Sequence, residues 1–350
     1  MGQDTFPVRM PRDVGVLATP HWVVGETPAW LGHVPFAFWV VSATEPRVIV
    51  ELGCHYGNSY FAFAQSVRAC GLGTSMFAID TWVGDEHSGI YGSEVFDAVH
   101  GYNEKNYPTF SQLIRSTFDD ACDHFEDGSI DLLHIDGHHT YEAVRHDFES
   151  WLPKMSERGI VLFHDIAVRE RGFGVHRLWK ELTDRYESFG FDHSHGLGVL
   201  AVGSEIPDGI RPLLALDPGS KEAAAVQMLF STLGRRVNLE VTLDDQVAAV
   251  REAAAVQLAV VRAEASDELA AVRAAVRDEH DEAVDALRRA SEDELSSLRA
   301  DHANVLDEQK AEADRTIAAL QIQIDLAEAR AARSFDERLG TVVGRTTEEG

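Results

Sequence analysis

The sequence has few of the residues on which several classes of protein depend. It contains only three cysteines, Cys54, Cys70 and Cys122, among 350 residues. They are too few and too irregularly spaced for a disulfide scaffold or a four-cysteine zinc site, and they fit a reducing cytoplasm. No apolar run approaches the roughly 20 residues of a membrane span, and the N-terminus lacks a basic segment followed by an apolar one. We therefore expect a cytoplasmic protein without a membrane span.

Basic residues are also scarce. Lys and Arg number 31 against 58 Asp and Glu, which gives a formal net charge of −27. Non-specific binding to nucleic acid requires clustered Lys and Arg that replace counterions, and electrostatic attraction to anionic lipid requires the same charge. The composition therefore argues against both kinds of partner.

The character of the chain changes after about residue 205. Before this point, β-rich runs alternate with segments of helical periodicity, whereas after residue 238 there is no Gly or Pro until Gly340. A long segment of Ala, Glu, Asp, Arg, Val and Leu is typical of an extended helix. The predicted organisation is an N-terminal segment (1–29), an α/β domain (30–205), a linker with a short helix (206–238), a coiled coil (239–336) and a flexible tail (337–350).

Six short strands and three intervening helices are predicted in the α/β domain. The strands are 48–52, 76–79, 110–115, 130–135, 159–163 and 198–202, and the helices are 58–69, 140–151 and 174–189. Such alternation predicts a parallel sheet with helices on both faces. Ligands of such sheets bind beyond the carboxyl ends of the strands, so the residues that follow each strand are the candidate site.

The turn after the first strand contains an acidic residue and two glycines. Glu51, Gly53 and Gly57 have the spacing acidic-x-Gly-x-x-x-Gly, which matches neither the dinucleotide fingerprint nor a phosphate loop. Asp80 follows the second strand, where a carboxylate can accept hydrogen bonds from ribose hydroxyls. Together these features favour an adenosine-type ligand without phosphates. The alternative is that the two glycines serve only to turn the chain.

Carboxylates and histidines follow the next two strands. Asp136 and Asp165 leave strands that should be neighbours, and oxygen ligands of this kind suit a divalent cation. His164 would extend the choice to transition metals. His139, three residues after Asp136, could act as a general base. The alternative for each histidine is an ordinary surface or core residue.

Five segments resemble class I S-adenosylmethionine-dependent methyltransferases, in particular a bacterial subgroup found with glycosyltransferases and polysaccharide genes. The segments are VELGCHYGNSY (50–60), AIDTWVGDEHSGIYG (78–92), the stretch from DGSIDLL to VLFHD (127–165), FGVHRLWKEL (173–182) and HGLGVLAVG (195–203). They cover about residues 30–203 in the order expected for the family. The resemblance implies a Rossmann-like sheet with helices on both faces and S-adenosyl-L-methionine as the cofactor.

The resemblance also implies roles for residues that follow the first three strands. The cofactor-binding set would be Glu51, Gly53 and Gly57 at the methionine end, Asp80 at the ribose, and Ser116 and Phe118 near the adenine. Related sugar O-methyltransferases bind magnesium through acidic residues after strands four and five, with a histidine base three residues after the first ligand. In this sequence Asp136 and Asp165 match the ligands, and His139 matches the base.

One position departs from that pattern. His164 stands where the related enzymes usually carry a carboxylate. As a ligand it would favour manganese, iron or zinc over magnesium. The cofactors expected from the resemblance are therefore S-adenosyl-L-methionine and a possible divalent metal, magnesium or manganese.

The favoured function is methylation of a hydroxyl group on a sugar or glycan. The segment 82–107 is placed to cover this acceptor, with Trp82, His87 and Tyr91 as candidate contacts, unless it is a plain surface insertion. One alternative is a methyltransferase of small natural products that needs no metal. Another is a scaffold protein of a glycan-assembly complex, with a vestigial catalytic domain.

Apolar residues of the C-terminal segment recur every 11 residues. Val250, Val261 and Val272 form one series, and Leu295, Leu306 and Ile317 belong to another. This period averages 3.67 residues per turn and predicts a straight or slightly right-handed supercoil. Because a lone helix cannot bury such a stripe, we expect self-association or a partner protein. The alternative is a solvated single helix.

Overall fold

The computed structural model describes residues 7–8, 17–24, 29–85, 89–170, 172–278 and 284–346. The chain divides into two compact units, Met1–Leu239 and Glu240–Gly350. Within the described ranges, no helix combines the length and the apolar character needed to cross a membrane. All the strands of the described residues lie in the first unit.

Helices and strands alternate along most of the first unit. In chain order they are α1 (Val34–Thr44), β1 (Val48–Leu52), α2 (Asn58–Cys70), β2 (Ser75–Asp80), β3 (Gly84–Asp85), β4 (Gly89–Ile90), α3 (Ser93–Asn106), β5 (Ser111–Arg115), α4 (Phe118–Cys122), β6 (Ile130–Ile135), α5 (Tyr141–Trp151), β7 (Met155–His164), α6 (Val175–Thr183), β8 (Ser188–Phe191), β9 (Leu197–Ala201) and α7 (Arg211–Leu214). A short 3₁₀ helix, Ala29–His33, precedes α1. Two long helices follow, α8 (Lys221–Asp278) and α9 (Val284–Thr346).

Seven strands form one mixed sheet in the order β5-β2-β1-β6-β7-β9-β8. The first five are parallel, and β9 runs antiparallel to both β7 and β8. The central strand β6 is buried along its whole length, as expected for a parallel strand that is covered on both faces. The direction of strand progression reverses between β1 and β6, and ligands bind at such a switch point. The predicted Rossmann-like α/β fold is confirmed.

The helix after β1 is delimited by glycines, and the helix after β6 is capped by a threonine. Gly57 and Gly71 flank α2 with left-handed backbone angles that glycine adopts without strain. At the start of α5, the Thr140 hydroxyl accepts a hydrogen bond from the Ala143 amide at 3.3 Å. Both helices therefore begin just beyond the carboxyl edge of the sheet, where the candidate residues lie.

Two segments differ from the prediction. The predicted loop 82–107 contains the β3–β4 hairpin and the whole of helix α3. The predicted helix 174–189 ends at Thr183, and Ser188–Phe191 forms strand β8 instead. Its two phenylalanines, Phe189 and Phe191, are buried at alternate positions of the strand. Because both residues are apolar, the helical pattern of the sequence continues to residue 189, about one and a half turns beyond the observed end of the helix.

The linker helix is also longer than predicted. Instead of a short helix within the linker 206–238, α8 runs from Lys221 to Asp278. Its first turns pack on the first unit, where the Phe230 ring lies 5.4 Å from Phe36 and 6.0 Å from Trp39. A Cβ atom at Gly234 would lie 2.1 Å from the Gly32 carbonyl oxygen, so this glycine allows the helix to approach closely. The start of α8 is therefore part of the first unit.

Candidate functional site

A cavity of about 640 Å³ opens at the carboxyl edge of the sheet, beside the switch point between β1 and β6. Its walls come from the segment before α1, the turn after β1, the end of β2, the start of α4 and the loop after β6. The cavity thus brings together residues that are more than 100 positions apart in the sequence. Among them are Trp30, Gly53, His55, Asp80, Phe118 and Asp136.

Gly53 holds the turn after β1 against the end of β6. Its φ angle is +89°, and a Cβ atom there would lie 2.1 Å from the Asp136 carbonyl oxygen. The Gly53 amide donates to Ile79 at 3.0 Å, and the Asp136 amide donates to Leu52 at 2.9 Å. Only glycine fits this conformation and this contact. Gly57, in contrast, lies at the start of α2 and is not part of the cavity wall.

Asp80 lies at the end of β2 and faces the cavity. One carboxylate oxygen accepts the His55 amide hydrogen at 2.8 Å, and the other accepts that of Trp82 at 2.7 Å. A carboxylate has about four acceptor positions, so further hydrogen bonds from a ligand are possible. The side chain is therefore held in a fixed orientation that suits ribose hydroxyls.

Glu51 lies beneath the cavity rather than on its surface. The side chain has no exposed area. One carboxylate oxygen accepts the Ser59 hydroxyl hydrogen at 2.6 Å, and the other lies 3.4 Å from Nδ1 of His134. Burial raises the pKa of Glu51 against the opposing effects of His134 and Ser59. Ser59 does line the cavity, so Glu51 reaches a ligand only through such neighbours.

The carboxylates and imidazoles after β6 and β7 meet in one cluster. Nε2 of His139 lies 2.8 Å from Asp165 and 3.5 Å from Asp136. Nδ1 of His164 lies 3.2 Å from Asp136 and 3.5 Å from Asp165. The four residues predicted for this edge are therefore within direct contact of one another. Asp136, His139 and His164 line the cavity.

Mutual electrostatics shift the pKa values of this cluster. Burial alone would lower the pKa of His139, but the carboxylates of Asp136 and Asp165 raise it to about 9. The same two carboxylates raise the pKa of the buried His164 well above its ordinary value, again against the effect of burial. The imidazoles in turn hold the pKa values of both aspartates low despite their burial. The cluster is thus a set of paired charges at neutral pH.

A strained turn between β8 and β9 completes the cluster. Ser194 and His195 have positive φ angles of 52° and 68°. The Ser194 carbonyl accepts hydrogen bonds from Nε2 of His164 at 3.2 Å and Nε2 of His33 at 3.1 Å. Nδ1 of His195 lies 3.2 Å from Asp165. His33 and His195 could not be predicted from the sequence, because no spacing connects them with the strands that carry the aspartates.

Three ligand atoms of the cluster fit a divalent cation. One atom each from Asp136, His139 and Asp165 lies within 4.8 Å of the other two. Two carboxylate oxygens and one imidazole nitrogen form a donor set that suits manganese, iron or zinc. This set contains His139 in place of the predicted ligand His164, whose Nε2 is engaged by the Ser194 carbonyl.

The remaining predicted residues are distributed around the cavity. Phe118 and Tyr91 line it, whereas Ser116 does not and instead donates its amide hydrogen to the backbone carbonyl of Asp80 at 3.0 Å. Trp82 is only 1% exposed and packs on Phe96, so it supports the cavity wall without lining the cavity. His87 lies outside the described residues.

Comparison with known families places a domain on this part of the chain. Residues 50–166 match the family model described as a methyltransferase domain. The match covers β1 to β7 and therefore both the glycine turn and the carboxylate cluster. The match agrees with the prediction of a methyltransferase domain in the first unit.

An uncharacterized protein of Sinorhizobium fredii is 52% identical over 197 residues. This alignment covers 56% of the chain but only 22% of the relative, so the chain spans about a fifth of that protein's length. Among solved structures, the O-methyltransferase TomG from Streptomyces achromogenes is 12% identical, with 52% of this chain and 91% of that chain covered at a TM-score of 0.38. An O-methyltransferase from Bacillus cereus is 14% identical, with 55% and 92% covered at the same TM-score.

Proposed function

We propose that this protein is an O-methyltransferase that transfers the sulfonium methyl group of S-adenosyl-L-methionine to a hydroxyl group of a sugar or glycan. One observation carries the proposal: a single cavity joins the turn at Gly53 and Asp80 to the cluster of Asp136 and His139. The first pair suits the cofactor, and the second suits proton removal from an acceptor. The methyltransferase domain matched by residues 50–166 supports the same reaction class.

His139 is the candidate general base. A sugar hydroxyl is a poor nucleophile, and a base within hydrogen-bond distance promotes its attack. Asp165 holds Nε2 at 2.8 Å, and the Phe173 ring stacks on the imidazole with centroids 4.3 Å apart. In the proposed step the hydroxyl oxygen bonds to the methyl carbon, the carbon–sulfur bond breaks, and the hydroxyl proton moves to His139. S-adenosylhomocysteine and the methyl ether are the products.

The carboxylates of Asp136 and Asp165 orient this base and raise its pKa to about 9, so most of it is protonated at neutral pH. A divalent cation held by the carboxylates of Asp136 and Asp165, with His139 outside its ligand set, would offset their negative charge, favour the neutral imidazole that the base requires and stabilise the developing alkoxide. An oxygen of Asp136 also lies 3.2 Å from Nδ1 of His164, which fixes the position of that imidazole. We therefore propose that a divalent metal assists the methyl transfer.

Calorimetry with S-adenosylhomocysteine, with and without Mn²⁺, tests the cofactor part. We expect binding by the full chain and a loss of about tenfold in affinity for Asp80→Asn, because an amide accepts hydrogen bonds less strongly than a carboxylate. Asp97→Asn, on the exposed face of α3, is the matched control and should bind normally. A natural chain that binds no S-adenosylhomocysteine would favour the scaffold alternative.

The metal part is tested by measuring methyl transfer before and after the metal is removed with a chelator. Normal turnover after metal removal would favour the metal-free alternative.

The second unit supports a separate proposal, that the C-terminal helices associate with a second copy or with a partner protein. Half-buried side chains recur every 11 residues in the described part of α9, at Leu295, Leu306 and Ile317. Leu298 and Val305 on the same helix are 54% and 44% exposed. A helix with such an apolar stripe is stabilised by burying it.

Sedimentation of the full chain tests this second proposal. We expect an assembly larger than a monomer, and Leu306→Arg should shift it toward the monomer because a charge would be buried in the seam. Glu308→Arg, at an exposed position two residues away, is the control. A natural chain that sediments as a monomer and captures no partner contradicts the proposal.

A further inference from the structure

The cavity has acidic but no permanently basic side chains on its described walls. Asp80 and Asp136 contribute carboxylates, and no Lys or Arg lies among the described residues that line it. The imidazoles of His139 and His164 are already engaged with Asp136 and Asp165. Phosphate groups are normally held by Arg, Lys or a phosphate loop. A phosphorylated acceptor would therefore meet the carboxylates of Asp80 and Asp136 without an Arg or Lys of the described wall to bind its phosphate groups.

Three aromatic rings form one side of the same cavity, and we name them the aromatic wall: His55, Tyr56 and Tyr91. The His55 ring centroid lies 4.3 Å from that of Tyr56 and 4.8 Å from that of Tyr91. The rings offer flat apolar faces together with imidazole and phenol groups that form hydrogen bonds. A saccharide ring presents the matching combination of C–H faces and hydroxyl groups.

The wall is built on strained backbone. His55 and Trp82 have positive φ angles of 48° and 50°, which are unusual for residues with side chains. Both backbone amides donate to Asp80, and Nε1 of Trp82 donates to the His55 carbonyl at 3.0 Å. Such strain is concentrated at functional sites. The indole of Trp82 therefore fixes the position of His55 from behind the wall.

Tyr91 reaches the wall because a glycine faces it. A Cβ atom at Gly84 would lie 2.9 Å from the Tyr91 ring and 1.9 Å from the Gly89 carbonyl oxygen. The φ angle of Gly84 is also positive, at +82°. The β3–β4 hairpin thus brings Tyr91 close to His55 without a side chain between them.

We propose that the aromatic wall binds the methyl acceptor, that this acceptor is an uncharged saccharide without phosphate groups, and that Trp82 is a positioning residue for the wall. The inference rests on the proposed methyltransferase function and narrows its substrate class. The proposal excludes sugar phosphates and nucleotide-linked sugars as preferred acceptors, because the described wall offers no Arg or Lys for their phosphate groups.

Methyl transfer to a matched panel of acceptors tests the substrate class. The panel consists of methyl glycosides of glucose, mannose, rhamnose and N-acetylglucosamine, each beside its nucleoside-diphosphate form. We expect turnover of at least one glycoside, with kcat/KM at least about tenfold above that of its nucleotide form. Preference for a nucleotide form, or no turnover of any glycoside by a chain that binds S-adenosylhomocysteine, overturns the inference. Failure to bind S-adenosylhomocysteine would instead overturn the proposed function.

Variants of the wall test the residue roles with the best glycoside. Tyr91→Ala and Trp82→Phe should each raise the KM for the glycoside by about fivefold or more, with little change in kcat, as expected for the loss or displacement of one stacked ring. The affinity for S-adenosylhomocysteine should not change. Trp151→Phe, at the buried C-terminal end of α5, is the control and should alter neither value. Equal losses of cofactor and glycoside affinity in Trp82→Phe would show that the indole supports the whole domain, and would overturn its assigned role.

Discussion

The two ends of strand β6 carry aspartates that are five residues apart and differ in their surroundings: Asp131 is buried, whereas Asp136 is partly exposed. Asp131, at the start of the strand, accepts hydrogen bonds from the amide, Nε and Nη2 of Arg47, each at 2.8 Å, and from the Ser156 hydroxyl at 2.6 Å. Asp136, just beyond the other end, faces histidines and lies in the same cluster as a second carboxylate. The first is fully satisfied by the fold, whereas the second leaves capacity for a ligand.

The comparison shows that burial and charge alone do not identify a site. By burial Asp131 is the more unusual of the two, since its side chain is 2% exposed and that of Asp136 is 19% exposed. The difference lies in the partners. The Arg47 guanidinium neutralises the Asp131 carboxylate, and the Ser156 hydroxyl donates a further hydrogen bond to it. At the carboxyl edge, in contrast, several titratable groups lie together and their charges depend on one another. Substitutions at the two ends should therefore affect different properties.

The largest effect is expected at the carboxyl edge. His139→Ala should lower turnover by at least about 100-fold, because general-base catalysis contributes that much or more. Cofactor binding should survive, since the turn at Gly53 and Asp80 remains. Turnover is measured by transfer of labelled methyl groups, with His146→Ala on the exposed face of α5 as the control. Retention of activity would remove His139 from the role of base.

An intermediate effect is expected at the opposite edge. Asp131→Ala should lower the free energy of unfolding by about 3 kcal/mol, because it leaves a buried serine hydroxyl and the Arg47 amide without their acceptor. Denaturant unfolding measures the change, and the folded variant should keep its affinity for S-adenosylhomocysteine. Arg145→Ala breaks only the exposed ion pair with Glu149 and should leave stability unchanged. If Asp131→Ala selectively weakened catalysis, the contrast between the two ends would fail.

The smallest effect concerns pH. Hydrogen bonds from Arg47 and Ser156 outweigh burial and lower the pKa of Asp131 to about 2. Since this lies below the value in the unfolded chain, the carboxylate contributes stability above about pH 4 and loses it as the pH falls toward 2. We expect a contribution of about 1 kcal/mol after allowance for the exposure of Arg47. Asp131→Asn should flatten the stability curve in this range, and an unchanged curve would contradict the assignment.

Much of the sheet could be predicted from the sequence because its strands are short, apolar and separated by clear turns. Strand β6 was predicted with its observed bounds, Ile130–Ile135. Strand β8 was missed because Phe189 and Phe191 follow α6 too closely to break its pattern. Helix α3 was missed because the segment Ser93–Asn106 is polar and only three of its residues are buried.

The candidate site was predictable where its residues directly follow strands. Asp80, Asp136 and Asp165 could be found because the carboxyl ends of parallel strands meet at one edge. The position of Trp82 could not be predicted, because its burial depends on a left-handed backbone and on packing against Phe96. The contribution of His195 depends on the antiparallel strand β9, whose direction the alternating pattern did not reveal.

The contact between Gly53 and the Asp136 backbone joins two sides of the cavity and limits which substitutions position 53 can accept. Because a single methyl group would not fit between these two chain segments, any side chain at position 53 would push the turn after β1 away from the loop after β6. A substitution at position 53 would therefore alter two sides of the cavity together, because the turn after β1 forms one side and the loop after β6 forms the other.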